Sequence, residues 1–156
     1  MSPSGRGISL LSALLACGAI IGPVATAQAS DATIRATLKS AHPTMQKDQV
    51  KVQDGIAIYE KRHSSTALIK ALNRQATDLH ALQGKLSGQS ASSTKGAKGK
   101  ADIVKGLGLV AKSDTGLAKA LRAAHGKPVP RSQLTTAVAT AKKGNRDLAA
   151  GMKLLR

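Results

Sequence analysis

Apolar residues recur at alternating spacings of three and four in three stretches of this chain, which places each set on one side of an α-helix and requires that side to be buried. Leu68, Leu72, Leu79, Leu82 and Leu86 form one stripe. Ile103, Leu107, Val110, Leu117, Leu121 and Ala124 form a second, and Leu134, Val138, Ala141, Leu148, Met152 and Leu155 a third. A sheet would need a period of two, so the pattern points to an all-α fold. Its core has to come from Leu, Ala, Ile and Val, because the chain holds no Phe, no Trp and one Tyr, Tyr59. Small aliphatic side chains suit closely packed helices.

Boundary signals agree with the periodicity. Ser64-Ser65-Thr66 offers side chains that cap a helix N-terminus, and Gly126 with Pro128 and Pro130 stops one helix just before the next begins. The stretch 87–100, rich in Ser, Gly and Lys, reads as a flexible basic linker. Between Asp31 and His63 the pattern is weaker. Pro43 divides a short piece with Ile34 and Leu38 from a second with Met45, Val52, Ile56 and Tyr59. The second can also be drawn as a hairpin, with Val50-Lys51-Val52 and Ile56-Ala57-Ile58 alternating around the turn pair Asp54-Gly55. That hairpin leaves Ile56 and Ile58 with Lys51 and Gln53 on the polar face, so a helix is the better match. The expected fold is an antiparallel bundle of four main helices near 43–63, 66–87, 99–125 and 131–155, with a short leading helix at 31–41.

The chain opens as a secretory signal peptide does. A single cation, Arg6, precedes the apolar run from Ile8 to Ile21, and the small-x-small sites in Pro23 to Ala29 follow, so cleavage is expected after Ala29. Residues 30–156 then form one extracytoplasmic domain, with the formal charge falling from +16 to +15 as Arg6 is lost. Leu14-Leu15-Ala16-Cys17 also resembles a bacterial lipoprotein processing site, which would anchor the protein through Cys17. The run Gly18-Ala19-Ile20-Ile21 stays apolar where a lipoprotein normally turns polar, and this favours release. Cys17 is the only cysteine, so a chain cut at Ala29 has no disulfide, thiolate or Cys-ligated zinc chemistry.

The most ordered charge feature is Lys98, Lys105, Lys112 and Lys119, at intervals of seven, about 10.5 Å apart along a helix. With Leu107 and Val110 on the seam, these lysines fall at the position farthest from it. Two readings follow: a solvated face that keeps the bundle soluble, or, with Lys95, Arg122 and Lys127 nearby, a track for a polyanion. Lys142, Lys143 and Arg146 form a second patch. Three seam positions are polar, Gln75, Asp114 and Asn145, which suggests a polar layer that sets register. The alternative at Asp114 is a break, with Ser113-Asp114-Thr115-Gly116 capping a second half-helix.

Enzyme chemistry finds little to stand on. His42, His63, His80 and His125 are scattered, and Glu60-Lys61-Arg62-His63 is a single Glu-x-x-His. Carboxylate-bridged metal bundles need two such motifs and further acids, whereas Glu60 is the only glutamate. Gly106-Leu107-Gly108-Leu109-Val110-Ala111 has the letters of a dinucleotide-binding turn but no preceding strand, so its small residues read as helix contacts. Gly96-Ala97-Lys98-Gly99-Lys100-Ala101 lacks the spacing of a phosphate loop. No catalytic residue, cofactor, metal or small-molecule substrate is expected.

Nucleic acid would reward the charge without regard to sequence, but export removes the chain from it and the missing aromatics remove stacking platforms. The expected function is a secreted, non-enzymatic basic bundle that binds anionic polymers or lipids of the cell envelope through Lys95, Lys98, Lys105, Lys112, Lys119 and Arg122, with Lys142, Lys143 and Arg146. The alternative is an extracytoplasmic protein-interaction or structural module, in which an exposed seam such as Leu68 to Leu86 takes a helix from a partner or a second copy.

Overall fold

The computed structural model describes residues 29–156; the expected signal peptide, its cleavage motif and Cys17 lie outside them, save Ala29 itself. Among the described residues the chain is all-helical, with four helices packed against one another: α1 (Ala29–Arg62), α2 (Thr66–Ser87), α3 (Thr94–Ala124) and α4 (Arg131–Leu154). Each helix packs on the next in sequence, and α3 and α4 lie closest together.

One expectation about the first third of the fold is corrected. The separate pieces 31–41 and 43–63 are one helix, α1, with Pro43 inside it. Proline removes a backbone donor and leaves a carbonyl one turn earlier without its bond. Pro43 lies on the exposed side, where water can take that role, while Ile34, Val52 and Ile56 are buried on the other side and hold the helix through the interruption. Residues 50–59 are helical, as the periodicity favoured over the hairpin alternative. Gly55 is no turn residue: a Cβ there would stand 2.8 Å from the Cα of Leu68, so the glycine lets α1 approach the start of α2.

The second correction concerns the linker at 87–100, which shortens to residues 88–93 because α3 begins at Thr94. Ser93 caps that helix, its Oγ accepting from the Gly96 N–H at 2.8 Å. Asp31 of α1 completes the cap from a distance in sequence. Its carboxylate accepts from the Ser92 N–H at 2.9 Å and the Ser93 hydroxyl at 2.6 Å. The first turn of α3 has no acid of its own, so Asp31 places negative charge at the positive end of its helix dipole. Gln89 ties the same loop to α1 through Thr37 Oγ1 at 2.6 Å, and Lys100 donates to the Gln89 carbonyl.

Glycines set the closeness of α3 and α4. Gly99 lies against Gly151 and Gly106 against Gly144: a Cβ on Gly106 would meet the Gly144 carbonyl oxygen at 2.7 Å, and one on Gly144 would meet the Gly106 oxygen at 2.8 Å. One heptad further along α3, Ser113 donates to the Ala137 carbonyl at 2.7 Å. Small residues seven apart thus let the two backbones come close, with Leu148 and Val110 packed beside them.

The large apolar residues pack in two clusters. One gathers Val52, Ile56, Leu68, Leu72, Leu117, Leu121 and Val129. The other gathers Ile34, Leu79, Leu82, Leu86, Ile103, Leu107, Val110, Leu148 and Leu155. The Leu68 to Leu86 stripe therefore lies in the core, and a partner helix could reach it only by displacing α1 or α3.

Glycine in a helix costs about 1 kcal/mol relative to alanine where nothing requires it. Gly84 is exposed with open space at its Cβ position, so Gly84→Ala is expected to raise stability by about 1 kcal/mol. Gly106→Ala gains the same propensity but forces α3 and α4 apart, with an expected net loss of about 1–2 kcal/mol. Urea denaturation of the two variants against the parent should show these opposite signs.

Candidate functional site

The helix geometry sorts charge by depth. Lys95, Lys98, Lys105, Lys112, Lys119, Arg122, Lys142, Lys143 and Arg146 are all exposed, whereas Asp31, Asp48 and Asp114 are buried. Among the described residues Lys105 pairs with Asp147 of α4 at 3.1 Å, and the other eight cations make no ion pair.

The lysine row lies on the exposed side of α3, away from Leu107 and Val110, where its heptad spacing places it. The buried face of α3 is wide: Ile103, Leu107 and Val110 belong to the core, and Gly99, Gly106 and Ser113, along its edge toward the lysines, meet α4 closely. Lys98, Lys105 and Lys112 each precede one of these small residues, about 100° around the helix, so the row flanks the α3–α4 junction. The Lys105 to Asp147 bridge across that junction follows from this placement. It also divides the row, leaving Lys98 on one side and Lys112 with Lys119 on the other.

Lys112 and Lys119 border an open groove of about 440 Å³ between α3 and α4. Its floor is made of small residues, Gly116, Ala120 and Ala123 from α3 and Ala137 from α4. The α4 wall carries Ser132, Gln133, Thr136 and Thr140. No acid lines the groove. These wall residues and Gly116 escaped the sequence reading, which followed apolar and charged periodicity; the signal available was the i, i+4, i+8 spacing of Ser132, Thr136 and Thr140. Lys95, Lys98, Arg122, Lys142, Lys143 and Arg146 do not line this groove.

The polar seam residues lie where the two apolar clusters part. On α3 the boundary falls between Ala111 and Leu117, at Ser113 and Asp114, and the helix runs through without the break that capping would have made. On α2 it falls between Leu72 and Ala76, on α1 between Met45 and Val52, and on α4 between Ala137 and Leu148. Gln75, Asp48 and Asn145 occupy those intervals, and both Gln75 and Asn145 are half-buried.

Environment separates the three buried acids. Hydrogen bonds from Ser93 and Ser92 hold Asp31 below the usual carboxylate range. Burial raises Asp48 to about 6, helped by the neighbouring carboxyl of Asp78 and opposed by Arg74 and Lys51. Arg74 Nε stands 3.2 Å from Asp48 and 3.8 Å from Asp78, an α1–α2 bridge with an exposed guanidinium. Burial pushes Asp114 up to about 8, so it is mostly protonated at neutral pH, and its Oδ2 has no hydrogen-bond partner.

Among the described residues no group of three His, Cys, Asp or Glu could hold a metal ion, and no helix is long and apolar enough to cross a membrane. His63 and His125 have left-handed backbone at the ends of α1 and α3, and His80 Nδ1 lies 3.1 Å from Gln83 Oε1. In comparison with known proteins, no family model, no curated protein and no solved structure matches the chain.

An aspartate that is protonated when folded and ionised when unfolded gives the folded chain the larger number of bound protons. For Asp114 that holds between the ordinary 3.8 and about 8, so its contribution makes stability fall as pH rises through this window. Asp48 acts in the same sense up to about 6, whereas the lowered value of Asp31 acts oppositely, its stabilisation being lost in acid. Asp114→Asn is expected to remove most of the decline between pH 5 and pH 8 and to add on the order of 1–3 kcal/mol at the upper end. Urea denaturation of both proteins at the two pH values measures it.

Proposed function

We propose that this is an exported, non-enzymatic protein whose working part, residues 30–156, is an antiparallel helical bundle that adheres to anionic polymers or lipids of the cell envelope. The observation that carries this reading is that eight of the nine exposed cations of the two patches make no ion pair among the described residues, on a surface from which three of the eight acids have been withdrawn. Lysine acts here as a strongly hydrated point charge, so adhesion is ionic and tolerant of the ligand's detailed shape. The antiparallel arrangement is supported by partners whose numbers fall along α4 as they rise along α3: Gly99 with Gly151, Gly106 with Gly144, Ser113 with Ala137. Export rests on the apolar run and the small-x-small motif ending at Ala29, with anchoring through Cys17 as the alternative processing.

A second reading, a protein-interaction module, is favoured by one feature of α1. Among the described residues Val50 and Ile58, 52% and 39% exposed, are the large hydrophobic residues left outside the packing.

Adhesion is tested by retention of the protein on phosphatidylglycerol-rich vesicles and on polyphosphate, at low and near-physiological salt. Exchanging Lys98, Lys105, Lys112 and Lys119 for Gln removes three unpaired charges. At about 1 kcal/mol per charge, binding to the vesicles is expected to weaken on the order of 100-fold at low salt. The salt dependence should flatten with it. An unchanged slope would remove the lysine row from the function, and retention on neither surface would redirect attention to Val50, Ile58 and a protein partner.

A further inference from the structure

We propose that the groove between α3 and α4, over Gly116, binds one stretch of an acidic polysaccharide. This rests on the reading of the surface as polyanion-binding and goes beyond it by naming the occupant and its seat.

Gly116 is the first observation. It sits inside α3 with nothing within 4 Å of its Cβ position, as Gly84 does in α2, but of the two only Gly116 lines the groove. A glycine there has the helix penalty with no internal packing to require it. A bare backbone is useful where something from outside has to come close. Gly116 also stands between Lys112 and Lys119 on the same side of α3, one turn from each, so the exposed strip of helix is bracketed by two cations about 10.5 Å apart.

The opposite wall supplies the second. Ser132, Gln133, Thr136 and Thr140 present hydroxyl and amide groups in a line along α4. Thr136 and Thr140 donate to the carbonyls of Ser132 and Thr136 at 2.9 and 2.8 Å, which leaves their oxygens to accept from a ligand. The floor between the walls is small and apolar.

A pyranose ring with a carboxylate matches all three surfaces: its C–H face lies on the floor, its hydroxyls meet the α4 wall, and its charge meets a lysine. Polyphosphate would use only the lysines, and an acyl chain only the floor. A second copy of residues 30–156, itself carrying +15, would be repelled from the cationic rim.

The test is Gly116→Leu, a substitution into open space on an exposed helix face that leaves the core untouched. The variant is expected to melt no lower than the parent, because leucine is the better helix former. Binding is compared on a mannuronate oligomer and on linear polyphosphate of similar length, at near-physiological salt. Gly116→Leu should weaken the mannuronate oligomer at least about tenfold and leave polyphosphate unchanged, whereas Lys112→Gln with Lys119→Gln should weaken both. Unchanged mannuronate binding in Gly116→Leu would overturn the groove while leaving the adhesive surface intact. Failure of the parent to bind either probe would overturn the polyanion reading itself. A Glu-rich helical peptide that binds more tightly than mannuronate and is lost in Gly116→Leu would overturn the glycan in favour of an acidic helix.

Discussion

The contact between α3 and α4 through glycine is the constraint on which the outer architecture depends. Gly99, Gly106, Gly144 and Gly151 each bring the helix penalty, of about 1 kcal/mol, and their positions have no room for a methyl group. What offsets the penalty is proximity, since backbone atoms in contact gain many small dispersion terms along the shared length. That proximity has consequences beyond the seam. It brings Asp147 within reach of Lys105, and it makes the valley between the helices shallow, floored by alanine and glycine instead of large side chains.

Charge and burial are arranged around the same helices with opposite signs. Asp31 reaches from the first turn of α1 to the start of α3 and supplies the acid that helix lacks. Asp48 and Asp114 lie at the level where the two apolar clusters part. With these acids turned inward, the outer surface is more positive than the sequence total conveys. Asp114 exacts stability at neutral pH, as a carboxyl held protonated by its surroundings does. A polar group on the seam also resists sliding of one helix by a heptad, because a slip would set it against leucine.

Much of the fold was legible in the sequence, and the reasons differ by element. The stripes from Leu68, Ile103 and Leu134 are long and strongly periodic, so α2, α3 and α4 followed from local pattern alone. α1 did not. Pro43 and the pair Asp54-Gly55 carry local signals for a break and a turn, and both were overruled by contacts with residues distant in sequence. The linker was misjudged for a related reason: Gly96 and Gly99 resemble flexible composition in one dimension and are close-contact points in three. Of the candidate site, the exposed lysines were legible, because a cation at heptad spacing off the seam has nowhere to go but outward. The α4 wall and Gly116 were not, since a threonine or a glycine on a helix has no periodic charge or hydropathy to mark it.

The sequence by itself determined the helical class, the aliphatic core, the excess of positive charge and the lack of aromatic side chains. These are sums and periods, and they survive any arrangement of the helices. How closely α3 meets α4 was decided only by tertiary structure, because a hydrophobic pattern marks large residues and passes over the glycines between them. The seam made of glycine is silent in hydropathy and exists through distance alone. That close seam leaves the lysine row on the outer side of α3 and brings Lys112 and Lys119 to the rim of a groove.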